Sequence, residues 1–405
     1  MTASPPNFDR RALETWLIEQ GLAGRPIAEL FDGLCQRLVA SGFPLARGHL
    51  SFATLHPLQW AMGIVWQGGR VADSGGLAHG FEMQPAWLTS PFRHMLQYRL
   101  RRLRRQLAGS NAVLDFPVLE ELRDEGLTDW FALLHFFGWN LDRGQLEELG
   151  VTLSCATDRP GGWREEEVDA IDGISDTLAL AVKAGSSRDT TRDLLATYLG
   201  REAAERVIAG QVRRGSVERT EAIVLYADLR AFTDFAEAAT PEEVTRRLND
   251  CFDAMGDPLK SAGGEILKFL GDGFLAIFRP HSGRDMAAVA AAALGAAQEI
   301  LARAGKLNDT EQAAGNPPLA VDIALHAGEV TYGNVGTADR LDFTVIGPAV
   351  NQASRLEGMC RELGRHLLIS DSFVRAAPAL RPQLRSLGQH RLRGVSEAHE
   401  VFGTG

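Results

Sequence analysis

The 405 residues carry 42 Lys+Arg against 52 Asp+Glu, a net charge of −10, with 45% apolar and 23% charged residues. A chain of this length and makeup holds two or three domains with real cores, and its acidity argues against nonspecific nucleic-acid binding. The four cysteines (Cys35, Cys155, Cys251, Cys360) lie far apart with no CxxC, which fits a reducing compartment and argues against a thiolate metal site.

In chain order, residues 1–10 read as disordered, and a helix follows near 26–41, ending at Ser41-Gly42. Apolar runs then predict strands at HLSFATL (49–55), WAMGIVW (60–66), DWFALLHFF (129–137) and GVTLSCAT (150–157). Between them, RHMLQYRLRRLRRQL (93–107) reads as a helix with a dense arginine face. That face is either solvated or turned to an anionic partner; a DNA-binding role would show as salt-sensitive retention. The scattered His49, His56, His79, His94 and His135 suit packing or surface positions. Trp60, Trp66, Trp87, Trp130 and Trp139 suit a core, with a ligand pocket as the alternative.

The segment 159–184 starts with turn residues and an acidic first turn. Val168, Ile171, Ile174, Leu178 and Ala181 then recur at helical steps, which predicts an amphipathic helix and a candidate dimer seam. Gly185-Ser186-Ser187 is expected to break it, a second helical stretch covers 189–210, and a domain boundary falls near 185–215. The longest apolar stretch, MAAVAAAALGAA (286–297), is too short for a bilayer, and the N-terminus has no signal-type segment; the expected location is cytoplasmic.

The C-terminal half begins with a buried strand, AIVLYA (222–227), ending at Asp228. Thr240-Pro241-Glu242-Glu243 is a capping box before a helix to about 256. EILKFL (265–270) and FLAIFR (274–279) flank Gly271-Asp272-Gly273 as a hairpin. An alanine-rich helix covers 284–304, LAVDIALHAG (319–328) and VTYGNVG (330–336) suggest a second hairpin, DFTVI (342–346) is a strand and 348–363 a helix. The order β-α-β-β-α-β is that of a ferredoxin-like sheet. The fold class is α+β in both halves.

That topology brings Asp228 and Asp272 to one end of the sheet. Two hard carboxylates suit Mg²⁺ or Mn²⁺ completed by a polyphosphate, and the segment Leu229–Thr233 would offer N–H groups to phosphate. Taken singly, Asp228 reads as a helix cap and Asp272 as a turn residue. Asn351 and Arg355 are i and i+4 on one predicted helix, suited to ribose and phosphoryl groups or to a solvated face. Lys268 belongs to the site or is an edge-strand lysine.

Together these stretches resemble the catalytic domain of class III nucleotidyl cyclases. The resemblance covers roughly 216–403 and is carried by YADLRAFTDF, KFLGDGFLAIF, HAGEVTYGNVG and FTVIGPAVNQASRLE, in the family's order. It implies that the ribose 3′-hydroxyl of a nucleoside triphosphate attacks its own α-phosphorus and expels pyrophosphate. It also implies two Mg²⁺ or Mn²⁺ ions per site at Asp228, Leu229 and Asp272, with Phe232 and Thr233 among the substrate contacts. Asn351 would orient the ribose, Arg355 would stabilise the phosphorane, and Arg393 would meet the terminal phosphates.

Base choice follows from Lys268 and Thr344. Lysine at the first position marks the family's adenylate cyclases, and threonine replaces the commoner aspartate at the second, as in a threonine-containing (IIIb-like) subgroup. ATP is the expected substrate and cyclic AMP the product. Bicarbonate stimulation, frequent in that subgroup, is a further expectation. The family builds its sites between two catalytic domains, so this chain is expected to form a homodimer with two shared sites. The outline of 1–185 resembles a GAF-type sensory domain for an unknown signal, 186–215 a helical linker and 216–405 the catalytic domain. The alternatives are a catalytically silent nucleotide-binding sensor and a guanylate cyclase; Lys268 argues against the latter.

Overall fold

The computed structural model describes residues 8–140, 148–280, 283–391 and 398–404. They divide into two compact units, Met1–Leu194 and Leu195–Gly405.

The first unit opens with α1 (Arg10–Leu22) and α2 (Ile27–Ala40) and continues through β1 (Arg47–Ala53), β2 (Gln59–Gln67) and β3 (Arg70–Ala78). Two short helices, α3 (Pro85–Leu88) and α4 (Pro91–Gln97), lead to β4 (Arg102–Gln106). Then come α5 (Pro117–Asp124), β5 (Asp129–Asn140), β6 (Glu148–Thr157) and the long α6 (Glu165–Leu199). The sheet has the order β3-β2-β1-β6-β5-β4. One face packs on Leu17, Phe31, Leu34, Val168, Ile171 and Leu178. The other face is covered by Met95, Leu119 and Leu122 against Trp130 and Leu134.

Four sequence expectations need correction here. Of the stretch 1–10 expected to be disordered, residues 1–7 lie outside the described residues, but the chain is helical from Arg10, because the Asp9 carboxylate caps α1 by accepting from Ala12 N at 2.9 Å. The arginine-rich stretch is not one helix: α4 stops at Gln97, Arg99 has φ 53°, and Arg102–Gln106 is a strand on β5. Leu103 faces the core there while its arginine neighbours pair with acids on α6. Arg101 bonds Asp172 and Asp176 at 3.1 Å, Arg102 bonds Asp169 at 2.8 Å, and Arg104 bonds Asp129 and Glu165 at 2.7 Å. The apolar stripe of α6 is no dimer seam, since Val168, Ile171, Ile174, Leu178 and Ala181 lie in the unit's own core. Gly185-Ser186-Ser187 does not break α6. A Cβ on Gly185 would sit 3.0 Å from Ile27 Cγ1, so this glycine serves close packing.

The second unit begins with α7 (Arg201–Ile208), β7 (Val217–Arg230), α8 (Phe232–Ala238), α9 (Pro241–Ser261), β8 (Glu265–Leu270) and β9 (Gly273–Phe278). It continues with α10 (Met286–Ala313), β10 (Ala320–Gly336), β11 (Leu341–Ile346), α11 (Pro348–Glu357) and β12 (Leu367–Ser370). It ends with α12 (Asp371–Ala376), β13 (Leu384–Arg391) and β14 (Ala398–Thr404). The sheet order is β13-β14-β12-β10-β7-β9-β8, with β11 on β10. Its inner four strands, β10-β7-β9-β8, follow the ferredoxin-like order and are antiparallel throughout.

Local signals explain the helices. Thr240 caps α9 by accepting from Glu243 N at 3.3 Å, with Pro241 at the first helical position. The small side chains of α10 bring it close to the sheet, where Ala293, Leu294, Ala297 and Ile300 meet Ile223, Leu225 and Phe278. By length and composition α10 could cross a membrane; in this fold its apolar stripe lies in the core. Arg247 of α9 is fully buried, donating to Glu311 at 2.6 Å and to the Pro317 carbonyl at 3.0 Å.

On the opposite face, α11 packs Ala349 and Ala353 onto Val224, Leu275 and Tyr332. The expected hairpin within 319–336 does not form, because β10 runs unbroken through Gly328. A Cβ there would lie 2.9 Å from Ala349 Cβ, so the glycine admits α11 rather than a turn. The strand that returns is β11. α7 is tied to the same face: Glu202 pairs with Arg279, Arg206 reaches Glu218 at 3.0 Å, and Arg279 lies over the Tyr332 ring at 4.3 Å.

Candidate active site

Asp228 stands two residues before the end of β7, which runs on to Arg230 rather than stopping at Ala227. Ala227 pairs with Phe274 of β9, and Leu270 pairs with Gly273 across the two-residue turn Gly271-Asp272. Gly271 has φ 70°, the left-handed conformation this turn needs. The turn therefore carries Asp272 to the Asp228 end of the sheet. The approach is tight enough that a Cβ on Gly273 would lie 2.5 Å from Asp228 Oδ1.

Electrostatics register this proximity. Burial pushes the Asp228 carboxyl up to about 6, and the charge of Asp272 adds to it. Asp322, paired with Asp228 across β7 and β10, adds least and has partners of its own. Arg230 bonds both its oxygens at 2.9 Å, and His366 Nδ1 lies 2.7 Å from Oδ1. No ion pair among the described residues reaches Asp228 or Asp272. No group of three or more His, Cys, Asp or Glu among those residues could hold a metal either. Two mutually repelling hard carboxylates without a protein cation fit Mg²⁺ or Mn²⁺, whose other positions water and phosphate fill.

Around this pair, Leu229 is buried in the core, so only its backbone is available to the site. Ala231 turns the chain out of β7 with φ 64°, a rare conformation for a residue with a Cβ, and Phe232 and exposed Thr233 open α8 directly after it. Glu357, at the end of α11, is pushed up to about 7 by burial and then by Asp228. Sequence reasoning passed over it, and also Asp322, although a charged residue inside the apolar run LAVDIAL is a visible signal.

A second group gathers at β8, β11 and α11. Lys268 Nζ lies 2.7 Å from Asp342 Oδ2. Thr344 follows two residues later on β11, opposite Gly333. Asn351 and Arg355 are both exposed on α11, one turn apart as expected. The Tyr226 hydroxyl bonds Ser354 and ties α11 to β7. Among the described residues no hydrogen bond or ion pair joins Lys268, Thr344, Asn351 or Arg355 to Asp228 or Asp272. The expected residues thus form two clusters within one chain.

Residues 216–401 match the family model of the adenylate and guanylate cyclase catalytic domain. That stretch, just under half of the chain, is similar to nucleotidyl cyclase catalytic domains. The chain is 39% identical to an adenylate cyclase of Anabaena cylindrica over 165 residues, 40% of this chain and 32% of that protein. It is 28% identical to adenylate cyclase 1 of Rhizobium meliloti over 233 residues, 56% of this chain and 35% of that protein. The chain spans about a third of the length of these relatives. Among solved structures, the adenylyl cyclase CyaB from P. aeruginosa superposes with a TM-score of 0.43 at 28% identity, over 47% of this chain and 96% of that one. Of the residues expected in the cyclase site, Arg393 lies outside the described residues.

Proposed function

We propose that the protein is an adenylate cyclase that converts ATP to 3′,5′-cyclic AMP and pyrophosphate at sites shared within a homodimer. The Asp228–Asp272 pair carries this reading. It is a carboxylate couple held together against its own repulsion, which a bound divalent cation would relieve. Asp228, the Leu229 backbone and Asp272 would hold Mg²⁺ or Mn²⁺, two ions per site, which when bound neutralise the triphosphate.

The chain's own residues divide the rest of the work. Phe232 and Thr233 border the phosphates, and Arg393 is assigned to their far end. The Asn351 amide holds the ribose, and the Arg355 fork stabilises charge on the α-phosphoryl group while the 3′-hydroxyl gives up its proton to solvent, its oxygen bonds to the α-phosphorus, and the bond from that phosphorus to the bridging oxygen breaks to release pyrophosphate. Lys268 donates to an adenine ring nitrogen and Thr344 accepts from the adenine amino group. A lysine offers guanine's N1–H no acceptor, which favours ATP over GTP.

Two observations support a shared site. Among the described residues no hydrogen bond or ion pair joins the two clusters, and Phe269, Leu270 and Ile346 expose apolar side chains on the two strands that carry Lys268 and Thr344. The sheet order β3-β2-β1-β6-β5-β4 with helices on both faces supports a GAF-like sensory role for the first unit, which regulates the second. Four buried free thiols suit a cytoplasmic location. Threonine at position 344 extends to this chain the bicarbonate response of the threonine-containing subgroup. The test incubates purified protein with ATP or GTP plus Mg²⁺ or Mn²⁺ and quantifies cyclic nucleotide and pyrophosphate. Cyclic AMP that disappears in Asp228→Ala supports the reading; no cyclic product under any condition overturns it.

A further inference from the structure

The lysine assigned to the base does not act alone. Its ammonium bonds the Asp342 carboxylate at 2.7 Å, and both side chains keep close to half their surface in solvent, 47% and 44%. Asp342 and Thr344 are i and i+2 on β11, so they share one face about 7 Å apart. Phe343 and Val345 between and beyond them point into the core instead. A carboxylate, a hydroxyl and an ammonium therefore line one surface where β8 and β11 approach each other. Lys268 holds Asp342 below the ordinary carboxylate range, chiefly through their hydrogen bond.

We propose that Asp342 is a specificity-determining residue that acts as one unit with Lys268. This rests on the cyclase reading above. An ammonium has three donors and no acceptor. One donor held by Asp342 fixes the direction of the other two, which face an acceptor such as an adenine ring nitrogen. The carboxylate is acceptor-only, and its oxygens are what the N1–H and amino donors of guanine require. The pair thus masks a guanine-accepting group beneath an adenine-selecting one. Adenine preference depends on the ion pair staying closed, and loss of the lysine leaves an unpaired acceptor beside Thr344. Both side chains are solvated, so the pair adds little to stability and its substitution leaves the fold intact.

The test uses the full chain as wild type, Asp342→Asn, Lys268→Met and the double variant. Initial rates with ATP and GTP are measured together with dissociation constants of the α,β-methylene analogues of both nucleotides, which cannot cyclise. Thermal melts verify folding. In Asp342→Asn the KM for ATP is expected to rise about tenfold with a smaller change in kcat, the scale of one charge-assisted hydrogen bond. In Lys268→Met the ATP:GTP preference falls at least tenfold and GTP binding strengthens; adding Asp342→Asn removes that GTP gain. Asp342→Glu retains the adenine preference. Unchanged ATP:GTP ratios in Asp342→Asn, or equal GTP affinity in Lys268→Met with and without Asp342→Asn, overturn the proposal. A wild type that forms neither cyclic nucleotide sinks the cyclase reading instead, and the analogue affinities still decide the role of Asp342.

Discussion

Gly273 separates the cost of distorting the carboxylate pair from the cost of merely losing stability. It opens β9 against the end of β7, and only the lack of a side chain lets the two backbones meet there. A Cβ at this position would lie 2.3 Å from the Ala227 carbonyl oxygen, 2.5 Å from Asp228 Oδ1 and 3.1 Å from Asp228 Cα. Unstrained contacts need roughly 3.5 Å, so Gly273→Ala forces β7 and β9 apart by about 1 Å at the carboxylates. Overpacking of this kind costs about 1–3 kcal/mol. A displacement of about 1 Å among groups that position a reaction costs on the order of 100-fold in rate. The control is Gly271→Ala, two residues away. Its Cβ would meet nothing within 4 Å, but φ is 70°. It therefore costs about 1–2 kcal/mol of backbone strain without touching Asp228. Thermal melts, kcat with ATP, and Mn²⁺ titration followed by electron paramagnetic resonance are measured on both variants. Comparable destabilisation is expected, with kcat and Mn²⁺ affinity lost only in Gly273→Ala. Wild-type kcat and Mn²⁺ affinity in Gly273→Ala would refute the geometry of the pair.

Three further outcomes are expected. Asp228→Ala and Arg355→Ala should each abolish turnover, and mixing the two chains should restore part of it, because one of the two shared sites is then intact; no recovery in verified heterodimers breaks the shared-site model. Glu265 is pushed up to about 7 by burial and the charge of Glu202, whereas Glu202, opposed by burial, is held low by Arg279. Glu265 therefore keeps a proton that the unfolded chain sheds near the ordinary 4.5, so its contribution is full below that value and is lost as pH rises towards 7. Glu265→Gln should flatten the fall in Tm between pH 5 and 8, and melting curves parallel to wild type across that range would count against the raised Glu265 carboxyl. Arg247→Met should cost about 3–5 kcal/mol by removing the buried partner of Glu311, read as the urea midpoint; a loss below about 1 kcal/mol would show that Arg246 alone suffices. Glu311 itself is held down to about 2, first by its bond from Arg246, so its contribution disappears as pH falls from about 4.5 towards 2.

Much of the second unit was legible from short-range chemistry. Thr240 and Pro241 announce a helix start through contacts three residues long. Gly271-Asp272 announces a tight turn because one of its residues must be left-handed. The buried runs at 222–227 and 274–278 announce strands by composition. Where interpretation went astray, a local pattern had two structural meanings. RLRRLRRQ supports a helical arginine face or a strand with Leu103 inward, and only the acids of α6 and the edge of β5 decide between them. Gly328 and Gly185 read as breakers because sequence cannot distinguish a glycine that bends the chain from one that admits a neighbour.

The sequence by itself determined the residue types of the site and their order, because those are carried by motifs whose meaning is local. Tertiary structure decided which of those residues meet. Asp228 feels Asp272 because β9 pairs with β7 in one register, and a slip of one residue would turn every side chain to the other face. Asp322 is neutralised by Arg230, 92 residues away, and Lys268 is bound to Asp342 across 74. Such partners are chosen by packing over long separations, where propensity and periodicity carry no information.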